Sequence, residues 1–576
     1  MYWTVFLFCV FFRSSLQFTS DTLKVKLDHG GILVGRHLTT VHGRHVRAFQ
    51  GVPYAQPPIG DLRFKAPVSH PSWEGEKLVT KSTPMCIQID PYRHSSQIEG
   101  KEDCLYLNVY TPPLEDIKET GPLPVMVWFH GGGWQSGLSG DQLYGPKYLL
   151  DKNVILVSGN YRLGIFGFLS TETLDCPGNF GLKDQVEVLR WVNKNIKSFG
   201  GDPDSVTIFG ESAGGASVAY HMFSEKSNKL FHRGIPQSGT NFNPWSIQLK
   251  DGRAVERALK LGEFTGCKGS LKEMMSCLRK LPAEKVISRF YDFFDWDIHP
   301  TIPFPPVVEP EHADAFLTSD PRKTEQKSLD KPMMIGFTSQ EGIIFSAAMF
   351  NLGNQLETIK QQYRHLFPII LHYDHLTKSE QDSFTEEIDA FYFKNGHDYD
   401  NSNHENFTDL NSDALINAGV DEYLRKRLDT ATASTYAYVF DHLGSASASE
   451  IFGGGELKMG VCHADELQYL FSWEEAFLTT VPSKRDIVIR EAMLEMWTNF
   501  ATYGNPTPSG SKLPKWKPSE RLGEEKYDWN FVRIGSSDGD ESYVIRNEEN
   551  FSPERFAFWR KFNPSFKNLN EIRDEL

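Results

Sequence analysis

The pentapeptide Gly210-Glu211-Ser212-Ala213-Gly214 places a serine between two glycines with small neighbours. The run Ser205-Val206-Thr207-Ile208-Phe209 before it reads as a strand, and residues 213–222 after it read as a helix. A serine on a sharp strand-to-helix turn stands clear of the sheet and can attack as a nucleophile. The helix dipole and nearby backbone N–H groups then face the negative charge that such an attack creates. A lone G-x-S-x-G arises by chance in many chains, so the flanking strand and helix give this one its weight.

A second motif, His130-Gly131-Gly132-Gly133-Trp134, follows the apolar strand Pro124–Phe129. Glycines let backbone N–H groups approach an oxyanion closely. Gly132, Gly133 and Ala213 are therefore the expected oxyanion donors. A phosphate cradle is the competing reading, but no Gly-Lys-Ser/Thr follows. A nucleophilic serine also needs a base and an acid, in the chain order Ser, then Asp or Glu, then His. Glu341, in Thr338-Ser339-Gln340-Glu341-Gly342, follows the strand Met333–Gly336. His463 lies in Gly460-Val461-Cys462-His463-Ala464, after the strand Tyr436–Phe440. Each would be ordinary in isolation; order and strand-end placement single them out. The chemistry this set could perform is acyl transfer through a covalent intermediate, with no metal and no cofactor required.

These residues must be positioned by a sheet. Val154–Val157 is another near-continuous apolar run, and helical spacing is seen over Gln185–Lys197 and Ile487–Tyr503. The second of these helices stops at Gly504-Asn505-Pro506. Apolar strands alternating with helices predict an α/β fold, a large mostly parallel central sheet flanked by helices. No fixed-period repeat or long linker interrupts it, so residues 21–560 are expected to form one domain. Five aromatic residues, Trp245, Phe293, Phe294, Trp296 and Phe304, could line an apolar gorge or could be core.

The chain of 576 residues carries a formal charge of −15. That argues against a nucleic-acid or anionic-membrane partner and disfavours strongly anionic substrates, while a small-molecule ester substrate rests on the motifs. Val5–Phe12 is too short an apolar run to span a bilayer and is followed by Arg13-Ser14-Ser15, so residues 1–20 are expected to be a secretory signal. Residues 561–576 form a tail ending in Arg573-Asp574-Glu575-Leu576, which resembles a receptor-read retention signal. The expected location is the lumen of the endoplasmic reticulum, with secretion as the alternative. No membrane span is expected. Of seven cysteines, Cys9 leaves with the signal, and the remaining six allow 15 pairings. The local pairs Cys86 with Cys104 and Cys267 with Cys277 are favoured, leaving Cys176 and Cys462 as thiols. No Cys-x-x-Cys pair suggests a metal. Asn406 and Asn550 begin sequons suited to glycosylation.

Taken together the motifs resemble those of the type-B carboxylesterase family, which includes carboxylesterases, cholinesterases and insect hormone esterases. The resemblance extends to Gly51-Val52-Pro53-Tyr54-Ala55, Arg63-Phe64, Glu102–Asn108, Tyr161-Arg162-Leu163-Gly164, Asn179–Gln185 and Trp497-Thr498-Asn499-Phe500. It implies an α/β-hydrolase fold, a triad completed by Glu341 and His463, and both favoured disulfides. It also implies structural ion pairs of Arg63 with Glu102 and Arg162 with Asp184, and an acyl pocket lined by Trp245. The expected activity is hydrolysis of neutral lipophilic carboxylic esters, a dedicated hormone or pheromone esterase being the alternative. Two departures stand out. No tryptophan lies between Cys86 and Cys104, where cholinesterases carry their choline-binding ring, and Glu211 stands where juvenile-hormone esterases usually carry glutamine. A binding relative without catalysis would lack the nucleophile, which this chain keeps.

Overall fold

The apolar runs of the sequence become neighbouring strands of one sheet. A computed structural model describes residues 23–28, 30–82, 84–323, 330–351, 355–394, 404–452, 459–473, 476–477, 480–520 and 529–562. The segments 1–20 and 563–576, with the signal-like run and the Arg573–Leu576 tail, lie outside the described residues.

In chain order the strands of the large sheet are β1 (Arg36–Thr39), β2 (His45–Pro53), β3 (Tyr106–Thr111), β4 (Leu123–Phe129) and β5 (Ile155–Gly159). They continue as β6 (Gly201–Glu211), β7 (Arg233–Gln237), β8 (Met333–Thr338), β9 (Thr435–Phe440), β10 (Asn530–Ile534) and β11 (Ile545–Glu549). Their spatial order is β11-β10-β9-β8-β7-β6-β4-β5-β3-β2-β1. From β5 through β4 to β10 every pairing is parallel, while β11 and the β3-β2-β1 end run antiparallel. The parallel strands are buried almost throughout: β4 exposes only part of Pro124, and β5, β8 and β9 are buried at every residue. Such strands need helices over both faces. A small separate sheet joins Lys24–Lys26, Ile32–Val34 and Glu76–Leu78.

The expected helices are present with earlier starts. Phe180–Asn195 begins five residues before the apolar periodicity shows, and Lys484–Tyr503 begins at a reciprocal cap between Ser483 and Asp486. The expected disulfides Cys86–Cys104 and Cys267–Cys277 are formed, and Cys176 and Cys462 are buried thiols. Both expected ion pairs are also made. Arg63 grips Glu102 with two bonds of 2.6 Å. Arg162 grips Asp184 with two of 2.7 Å, and its own N–H adds a third. The first ties two loops together, the second ties the segment after β5 to the helix Phe180–Asn195, and both lie outside the main cavity. Among the described residues no helix is long and apolar enough to cross a membrane.

Candidate active site

Strand order decides where chemistry can happen. The chain passes from β4 to β5 on one side and returns to β6 on the other, so a crevice opens beyond the carboxyl ends of β4 and β6. Phe129 and Gly210 face each other in register at those ends. The glycine loop after β4 and the serine turn after β6 are therefore neighbours by construction.

The turn is backbone-tight. Ser212 has φ 59 and ψ −124, a region that a residue with a side chain occupies only when its surroundings enforce it. Its N–H donates to the Gln237 carbonyl at 2.8 Å, and Ala213 opens the helix Ala213–Phe223. A Cβ on Gly214 would sit 2.0 Å from the Phe129 carbonyl oxygen, and one on Gly210 would sit 2.6 Å from Gly214. The glycines of the motif are required by close approach, which is the physical content of the pattern.

Across the crevice, Gly132 and Gly133 have φ of 93 and 61. The positive angles roll the loop over so that successive N–H groups can face the serine. Among the described residues these two N–H groups and that of Ala213 donate to no protein acceptor. Unpaired donors beside a nucleophile can receive an oxyanion.

The loops after β8 and β9 supply the other half. Glu341 is fully buried and accepts from the Thr338 N–H at 2.7 Å through Oε1. Its Oε2 is 2.5 Å from His463 Nδ1. The two loops are stitched together by Gln340, whose N–H donates to the Val461 carbonyl at 3.2 Å and whose Oε1 accepts from the Val461 N–H at 3.1 Å. A Cβ on Gly460 would lie 1.9 Å from that same oxygen.

The other imidazole nitrogen faces an acid that sequence reasoning did not place. Nε2 of His463 lies 2.9 Å from Glu211 Oε1, off the direction of a good hydrogen bond. Ser212 lines the same cavity as His463, and no hydrogen bond joins their side chains here. Burial alone would lower the imidazole's affinity for a proton, but Glu211 and Glu341 outweigh it and raise its pKa well above the ordinary value. Two further buried acids stand close. Glu466 accepts from Gln237 at 3.1 Å and is pushed up to about 8 by burial and then by Glu211 and Glu341. Asp465 is pushed up to about 7, mainly by burial, and accepts from the N–H groups of Ala448 and Cys462. The spacing of Glu466, three residues after His463, was the available clue; Gln237 ends a strand the sequence pattern concealed.

The cavity above these groups encloses about 1160 Å³, its open mouth included. Trp245 lines it, with Tyr92, Tyr144, Phe345, Phe452 and Trp473. The Trp245 ring is fixed by its N–H donating to the Leu415 carbonyl at 2.6 Å. Of the two readings left open for the other four aromatic residues, the structure favours core, since they pack outside this lining. Phe293 meets Phe304 at 4.8 Å, Phe294 meets Phe290 at 5.3 Å, and Trp296 stacks on His299 at 5.8 Å. They sit on segments after the helix Ala283–Ile287, and aromatic content alone does not tell a gorge wall from core. Cys462 is fully buried outside the cavity lining, its thiol pushed well up by burial, so it is inert packing.

A doubly flanked parallel sheet with a strained serine at its switch point, beside a glycine loop and a Glu–His pair, defines an α/β-hydrolase. The chain belongs to the carboxylesterase family, which matches residues 21–559, and it is a serine carboxylic-ester hydrolase. It is 35% identical to the juvenile hormone esterase of Tribolium castaneum over 92% of each chain. It is 34% identical to venom carboxylesterase-6 of Apis mellifera, over 90% of this chain and 92% of that one. With esterase FE4 of Myzus persicae it shares 35% over 87% of each.

Proposed function

We propose that Ser212 is the nucleophile, His463 the base and Glu341 the acid that orients it. His463 takes the Ser212 proton as the hydroxyl oxygen bonds to the ester carbonyl carbon, and Glu341 holds the imidazole tautomer. The carbonyl oxygen, now negative, is received by the N–H groups of Gly132, Gly133 and Ala213. Collapse expels the alcohol with the proton from His463 and leaves an acyl-serine; water repeats the sequence and releases the acid. The observation that carries this reading is the 2.5 Å contact between His463 Nδ1 and Glu341 Oε2, with Nε2 turned toward the residue next to Ser212. Catalytic hydrogen bonds are often incomplete without substrate, and this reading requires Nε2 to turn from Glu211 to Ser212, which lines the same cavity. Treatment with a phosphonate ester tests it: stoichiometric labelling of Ser212, absent when the protein is denatured beforehand, is expected, and labelling elsewhere would refute it.

The substrates proposed are neutral lipophilic esters with Trp245 bounding the acyl side, because the cavity wall is largely aromatic and apolar. The likeness to a juvenile hormone esterase supports a second reading, a dedicated terpenoid-ester hydrolase. Comparing kcat/KM on short aryl esters and long terpenoid esters separates the two, a large terpenoid preference favouring the second.

The domain limits proposed are a signal at 1–20, the hydrolase at 21–560 and a tail at 561–576. Lumenal residence in the endoplasmic reticulum, with secretion as the alternative, is supported by the two disulfides, which need an oxidising compartment. Fractionating cells that express the chain with and without Arg573–Leu576 tests it: release of only the truncated form is expected. Glycosylation is supported best at Asn550, exposed in the turn after β11. Asn406 is half-buried on the helix His404–Ser412, with the Thr408 hydroxyl buried against Ser346 at 2.7 Å, which is weaker support for its sequon.

A further inference from the structure

A chain of net charge −15 holds a hollow lined by Lys250, Arg253, Arg257, His372 and His375, with Asp374 its single carboxylate. The hollow opens behind Trp245 and Ile302, which also line the catalytic cavity. Arg253 is bonded to Asp374, so that carboxylate is already engaged. Arg257 is only 8% exposed, yet the acceptor it meets among the described residues is the neutral carbonyl of Pro303. Burial lowers its guanidinium to about 10, which leaves it charged at neutral pH. Among the described residues His372 Nε2 is buried with no hydrogen-bond partner, and burial lowers its imidazole to about 4, so it can serve only as a neutral donor. The lining also includes the apolar residues Trp245, Ile302, Ile247 and Pro300. A buried guanidinium paired only with a carbonyl is an incomplete arrangement that a planar anion would complete.

We propose that this hollow is a carboxylate-binding site that takes an amphiphilic carboxylic acid, its head group on Arg257 and His372 and its chain against the Trp245 wall. The apolar floor favours a carboxylate with a hydrocarbon tail over inorganic phosphate. Ester hydrolysis makes such an acid on the far side of the wall, and solvent can also supply one. The proposal uses the proposed catalysis only for that first source.

The full-length protein, phosphonylated so that its catalytic cavity is blocked, is titrated with decanoate by calorimetry. One equivalent should bind. Arg257→Gln should weaken it about tenfold, Arg257→Lys less, and the exposed Lys250→Ala severalfold, with turnover of an aryl acetate by the unlabelled variants unchanged. Should Arg257→Gln fail to melt cooperatively, His372→Leu and Lys250→Ala decide by the same readout. Binding to the blocked enzyme identifies solvent as a source. Inhibition that accumulates during turnover of a decanoyl ester, relieved by Arg257→Gln and not mimicked by added decanoate, identifies the catalytic cavity instead. No binding to the blocked enzyme together with no Arg257-dependent inhibition overturns the proposal, as does binding that none of the variants alters or equal binding of phosphate. Mass analysis of the phosphonylated residue reports separately on the nucleophile, so a failure there is distinguishable from a failure here.

Discussion

The two halves of the candidate active site are built from different materials. At the ends of β4 and β6 the working parts are backbone: a strained serine, glycines packed closely against carbonyl groups, and three N–H groups that meet no protein acceptor among the described residues. At the ends of β8 and β9 they are titratable groups: one imidazole held by Glu341, near the buried acids Glu466 and Asp465, and facing Glu211 at the end of β6. The first half is fixed by sterics and tolerates almost no change of shape. The second is fixed by loops meeting over long sequence distances, and its behaviour depends on pH. The difference teaches that preorganised polarity and tunable basicity are supplied by separate parts of the same sheet edge.

Substitutions in each half should fail in distinguishable ways. The largest effect is expected from Ser212→Ala, a loss of about a million-fold in kcat with the fold retained, as measured by turnover and circular dichroism. A modest loss would move the nucleophile elsewhere. Glu341→Gln should cost about ten-thousand-fold in kcat, because an amide no longer holds the required tautomer. Gly132→Ala should cost about a hundred- to a thousand-fold, since its Cβ would lie 2.2 Å from the Ser136 carbonyl oxygen and displace a donor. Its pH profile should keep the parent's shape, which marks it as a backbone effect.

Glu211→Gln should have the smallest effect on the plateau rate and the clearest effect on pH. With both carboxylates present His463 is held well above its ordinary pKa, so the base stays protonated, and activity stays low, until pH rises past that raised value. Removing one carboxylate lowers the pKa, so the acid limb of kcat/KM should move to lower pH. An unmoved or upward-moved limb would show that Glu211 does not act on His463.

The turn of the backbone half was legible in the sequence because its motif is local, Gly210, Ser212 and Gly214 lying within five residues, whereas the close approach of Gly214 to the Phe129 carbonyl appears only in the fold. Glu341 and His463 were legible only through chain order and strand ends. Their loops are joined by Gln340 and Val461, about 120 residues apart, and no periodicity announces such a contact. β7 was hidden because Arg233-Gly234-Ile235-Pro236-Gln237 carries a glycine and a proline in the middle of the sheet, where neither is favoured. β1, β2, β3, β10 and β11 were missed at the sheet margins, where strands need not read as continuous apolar runs. The acids around His463 were concealed because burial, which shifts their protonation, is a property of the fold and not of the local sequence.

The most direct test is a crystal structure of the protein after reaction with a phosphonate ester. The account predicts phosphorus on the Ser212 oxygen and a phosphoryl oxygen about 3 Å from the N–H groups of Gly132, Gly133 and Ala213. It also predicts His463 Nε2 turned from Glu211 toward the phosphonyl oxygens. A phosphoryl oxygen facing away from those amides, or an imidazole still on Glu211 with no path to the serine, would contradict it.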